Sequence, residues 1–85
     1  MIAYAEMPKF RNKHMKEIVR VFQVHDNKIF NRYQMHLHST YLNAEQIQKR
    51  WVDLQRLGIV KYRKDIDGCS AYSLRLSDEP YDVIL

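Results

Sequence analysis

The 85-residue chain has one cysteine, two glycines and two prolines, and each scarcity excludes something. Cys69 alone cannot close an internal disulfide, so the fold is held without one, and a reducing, cytoplasmic setting is expected. Glycine stands only at 58 and 68, and each marks a turn. Pro8 and Pro80 lie near the ends and leave the central body uninterrupted. No apolar run approaches the roughly 18 residues of a membrane span, so no membrane partner is expected. The start, Met1-Ile-Ala-Tyr-Ala-Glu6, lacks the basic-then-apolar order of a signal peptide. Repeats, low-complexity tracts and linkers are missing too, which leaves one small domain over residues 1–85. There is no glycine-rich phosphate loop, paired-carboxylate motif or nucleophile elbow. An enzyme is therefore not expected, and no cofactor is implied.

What is present is an ordinary apolar share of 46% and a net charge of +4. That composition is globular rather than disordered. The charge is unevenly spread. Residues 1–27 carry five Lys/Arg against three Asp/Glu, a net +2; residues 28–64 carry eight against two, a net +6; residues 65–85 carry one against five, a net −4. Such asymmetry suits a polyanionic partner, and its plain alternative is a solvated basic face.

Hydrophobic spacing predicts three helices and a hairpin. Met15, Ile18, Val19 and Phe22 form one stripe of a helix over about Asn12 to His25, capped by Asn12 and ended by Asp26-Asn27. A second helix is expected over Ile29 to Leu37, with Ile29, Phe30, Tyr33 and Leu37 on its face, although its aromatics would also suit a strand. His38 to Leu42 reads as a turn. Asn43 then caps a third helix, with Gln46 in the capping-box position and Ile47, Trp51, Leu54 and Leu57 lining its inner face. Gly58 suits a left-handed helix stop. Ile59 to Lys64 alternates, with Val60 and Tyr62 opposite Lys61 and Arg63. After a turn at Asp65-Ile-Asp-Gly68, Tyr72, Leu74 and Leu76 alternate with Ser73 and Arg75.

The run Ile47, Trp51, Leu54, Gly58-Ile59-Val60 and a polar-tipped hairpin resembles the winged helix-turn-helix domains of bacterial and phage transcription regulators. It covers about residues 12–76. The chain departs from that pattern at Tyr41, where the family's turn usually has a small residue. The resemblance implies an α+β, mostly α winged helix, three helices followed by a β-hairpin wing, that binds double-stranded DNA. Its third helix would enter the major groove, where Asn43, Gln46 and Lys49 would read base edges. Arg50 beside that helix, and Lys61, Arg63 and Lys64 on the wing, would contact phosphates. The structural alternatives are a plain cap for Asn43, a solvated face for Gln46 and Lys49, and edge-strand cations that deter aggregation.

Other chemistry is weakly signalled. His36-x-His38 is the one close histidine pair, and on a helix the two point about 200° apart, so no metal site is expected there. Cys69 reads as a small half-buried strand residue. The ends, Ile2 and Tyr4 and then Tyr81 to Leu85, read either as arms that join a homodimer or as tails on their own domain. The leading expectation is thus a free-standing, sequence-specific regulator of phage or plasmid type. Its alternatives are a protein-interaction module, such as a phage-encoded inhibitor of a host complex, and a subunit that binds nucleic acid without sequence choice.

Overall fold

Entry into the first helix is set by Asn12, whose side-chain oxygen accepts from the backbone N–H groups of His14 and Met15 at 2.8 and 3.2 Å. Such a cap satisfies donors that a first helical turn leaves without partners. In the computed structural model, which describes residues 12–80, this helix is α1 (Lys13–Val24). It stops where Asp26 and Asn27 both take φ of 56°. Asn27 also ties the helix exit to the sheet, because its side chain accepts from Leu74 N and donates to Leu74 O.

The second helix differs from expectation. Phe30–Asn31 is a strand, β1, and the helix α2 (Arg32–His38) starts three residues later than the apolar spacing suggests. The reason is local. Asn31 and Gln34 form a reciprocal capping box, which places the boundary at Asn31 and leaves Phe30 extended against Tyr72. The predicted stripe fails with it: Tyr33 and Leu37 are 53% and 78% exposed, and Met35 is the fully buried side chain of α2.

The third helix, α3 (Ala44–Arg56), follows the sequence reading closely at its start, where Asn43 and Gln46 form a second capping box. Its end carries a correction. Leu57 is half exposed, because it is the cap residue and no longer on the helical stripe. Gly58 takes φ of 72°, its N–H donates to Gln55 O, and Ile59 N–H donates to Leu54 O, both at 2.9 Å. This Schellman arrangement turns buried Ile59 back against the core in place of Leu57.

Strands β2 (Val60–Ile66) and β3 (Cys69–Leu74) form the hairpin, joined through Asp67 and Gly68 at φ of 52° and 78°. Positive φ at both central residues matches the right-handed twist of the strands. The sheet is antiparallel with order β1-β3-β2, so three strands stand where two were expected. Its register shifts between Tyr62 and Lys64, which leaves Arg63 as the extra residue of a bulge. Ser73 and Arg75, predicted to face outward, are buried at 3% and 7% exposure. The segment after β3 covers that face: Arg75 Nε donates to Gly58 O at 2.7 Å and its Nη1 to Glu79 O at 2.6 Å.

The core gathers Ile18, Val21, Phe22, Met35, Leu42, Ile47, Trp51, Leu54, Val60 and Leu74. Trp51 is its centre, with Phe22 at 6.0 Å and Tyr72 at 4.5 Å between ring centroids. The residues form a small α+β domain of three helices and a three-stranded antiparallel sheet. Among the described residues no helix is long and apolar enough to cross a membrane. The terminal segments with Ile2, Tyr4 and Tyr81 to Leu85 lie outside the described residues.

Candidate functional site

The inner face of α3 is used up by Ile47, Trp51 and Leu54, so its chemistry lies on the opposite side. There Glu45, Gln48, Lys49, Val52 and Arg56 are exposed. At 100° per residue, Glu45, Lys49, Val52 and Arg56 form one outward stripe, and Gln48 flanks it.

Gln48 connects this stripe to α2. Arg32 Nη1 donates to Gln48 Oε1 at 3.0 Å, and the Arg32 guanidinium lies 5.0 Å from the centroid of the Tyr33 ring. Arg32, Tyr33, Ala44, Glu45 and Gln48 line a groove of about 370 Å³ between the starts of α2 and α3. The hairpin tip adjoins it, because Asn31 Nδ2 donates to Ile66 O at 3.0 Å. Sequence reasoning missed Arg32. The signal was present: Asn31-Arg-Tyr-Gln34 repeats the Asn-x-x-Gln spacing of Asn43-Ala-Glu-Gln46, and so announces a second helix start with a cation at its first position.

The sequence-predicted residues fall into different situations. Asn43 Oδ1 accepts from Gln46 N at 2.9 Å, and Gln46 Oε1 accepts from Asn43 N at 3.0 Å. Both acceptor oxygens are therefore engaged in the cap, and a bidentate contact to adenine would have to share or break it. Lys49 is exposed on the outward stripe. Arg50 is half-buried and pairs with Asp53 at 3.2 Å. On the hairpin, Lys61 Nζ donates to Pro80 O at 3.3 Å. Arg63 lies on the covered face of the sheet, donating to Ser73 Oγ, to Leu74 O and, through both Nη1 and Nη2, to Glu79. Lys64 is exposed. Beside it the Tyr62 hydroxyl donates to Asp65 at 2.9 Å, which raises the phenol's pKa above its ordinary value. Lys49 and Lys64 are thus on open surface, whereas Arg63 is built into the hairpin base.

The turn before α3 is braced by a side chain that sequence spacing does not single out. Glu17 of α1 is 5% exposed. Its Oε1 accepts from Arg20 Nε at 2.5 Å, and its Oε2 accepts from Ser39 Oγ, Thr40 N and Thr40 Oγ1 at 2.7 to 2.9 Å. Arg20 first, and then the turn's donors, hold this carboxyl down at about 2 against burial. Tyr41 fits the turn by pointing outward, and its hydroxyl donates to Lys13 O at 2.8 Å.

The histidines divide as well. His36 Nδ1 donates to Leu42 O at 2.7 Å, while the His38 ring lies 4.3 Å from His25 and 5.0 Å from Phe30. Among the described residues no group of three or more His, Cys, Asp or Glu could hold a metal ion. No family model, curated protein or solved structure matches the chain.

Proposed function

We propose that this chain is a winged-helix domain that binds double-stranded DNA, with α3 in the major groove and the β2–β3 hairpin as a wing on the phosphate backbone. One observation carries the reading: residues 28–64, net +6, are the segment that builds β1, α2, α3 and the first five residues of β2. Lys49 and Arg56 lie on the outward stripe of α3, Arg32 stands at the first position of α2, and Lys64 is exposed on the hairpin. Cations at such positions neutralise phosphates and set register, while Lys49 and the amide NH2 of Gln48, whose oxygen accepts from Arg32, can address base edges. The order of elements supports the same reading, because a helix pair is followed by a hairpin whose second strand pairs with β1. A small cytoplasmic transcription regulator of phage or plasmid type suits such a domain, and a homodimer would match a palindromic target.

A second reading is a protein-interaction module. Tyr33 and Leu37, exposed one turn apart on α2, favour it. Binding curves for duplex DNA at several salt concentrations separate the readings. The regulator is expected to prefer one sequence and to lose affinity steeply, by a slope of ~0.9 per phosphate contact in log–log form. Salt dependence without preference would point to a non-specific nucleic-acid subunit. No binding at low salt would sink both DNA readings and leave the protein partner.

A further inference from the structure

We propose that the outward face of α1 is a second phosphate-backbone contact, so that one domain can hold two DNA segments on opposite sides. The inference rests on the duplex-binding reading above and adds a separate face to it. Lys13, Lys16 and Arg20 follow one another at i, i+3 and i+7, spanning about 10 Å of helix axis. With Glu17 and Tyr41 they line a recess of about 210 Å³ between α1 and the turn before α3.

The one carboxylate in that recess is turned away from a ligand. Glu17 gives its oxygens to Arg20 and to the Ser39 and Thr40 donors, and it is almost wholly buried. Three cations against one carboxylate leave the recess with an excess of two positive charges. Among the described residues neither Lys13 nor Lys16 pairs with a carboxylate. The helix dipole disfavours a cation at Lys13, which stands in a first turn without any acidic residue. The recess is also firm, since the Tyr41 hydroxyl is bonded to the Lys13 carbonyl.

This face is separate from the α3 stripe. Phe22 of α1 and Trp51 of α3 meet across the core at 6.0 Å, so the outward sides of the two helices point away from each other. A duplex is charged along its whole length, and a face of this kind needs no sequence to hold it.

The test uses the full chain, one surface-tethered duplex carrying the preferred sequence and a second, labelled duplex without it. Wild type is expected to bind the first and capture the second. The double variant Lys13→Gln, Lys16→Gln should keep its affinity for the first duplex. Its capture of the second should fall, with a salt slope lower by about 2, at ~0.9 per phosphate. Lys13→Arg, Lys16→Arg should restore capture, and thermal melting checks that both variants fold. If the wild type binds the first duplex but captures none, or if the glutamine variant captures as well as wild type, this inference fails alone. A capture that survives the glutamine variant would trace bridging to protein association instead. If the wild type binds no duplex at all, both readings fail.

Discussion

Two glutamates, each held by an arginine, show how the same chemistry serves different ends in this domain. Glu17 braces the turn before α3, and Glu79 closes the base of the hairpin. Both carboxyls lie at about 2, well below their ordinary value, with the arginine as first cause in each case. The remaining donors separate them. Glu17 takes a backbone N–H and two hydroxyls from residues 39 and 40, so it positions main chain. Glu79 takes Leu76 N at 2.9 Å, but most of its bonding is the two-armed contact with Arg63, so it chiefly occupies a cation. One latch sets the geometry of the turn that leads into α3. The other engages a charge within the hairpin.

The largest test of that contrast is stability. Glu17→Gln keeps the shape, but its amide can present only one oxygen, and its NH2 must then face donors. A hydrogen bond to a charged group contributes about 1.5–3 kcal/mol, so the loss should reach about 3 kcal/mol in urea unfolding. Glu79→Gln, at the half-exposed edge of the sheet, should lose about 1 kcal/mol. Equal losses would erase the distinction between the two latches.

Acid titration sharpens it further. Each folded carboxyl sits at about 2 against 4.5 for the unfolded reference. Between those values the unfolded state binds more protons, so stability rises with pH there and is fully present above about 4.5. From pH 6 to pH 3 each group should remove up to about 2 kcal/mol, with Glu79 giving the smaller share because it is more exposed. Urea midpoints at the two pH values check this. Glu17→Gln should flatten most of the acid limb; a limb left unchanged would mean that other carboxylates carry it.

Neither latch was legible in the sequence, and the reason is distance along the chain. Asn12, the Asn43–Gln46 box and the Gly58 stop act within five residues, so their spacing alone announces them. Glu17 meets partners 22 and 23 residues away, and Arg63 meets Glu79 at 16. Strand β1 is two residues long and exists because Phe30 pairs with Tyr72, a contact that no local pattern encodes. The candidate site divides along the same line. Lys49 and Lys64 could be read from alternation and helical period, whereas the Arg32–Gln48 contact depends on how α2 packs beside α3.

The smallest effect is the most direct probe of the second latch. Lys64 is exposed on the hairpin, while Arg63 already donates to Glu79, Ser73 and Leu74. On the duplex-binding reading, Lys64→Gln should lower the salt slope of DNA affinity by about 1, the amount of one phosphate contact. Arg63→Gln should change that slope by less than half as much, because the guanidinium spends its donors inside the protein. Glu79→Gln approaches the comparison from the other side: it removes the carboxylate charge beside Arg63, and the slope should rise by up to about 1. These three slopes, taken on variants shown to fold, decide between two accounts of the hairpin. If Arg63→Gln matches Lys64→Gln, the Glu79 latch opens whenever DNA binds, and the contrast with Glu17 becomes one of timing. If it does not, the hairpin presents Lys64 while Arg63 and Glu79 hold the strand that carries it.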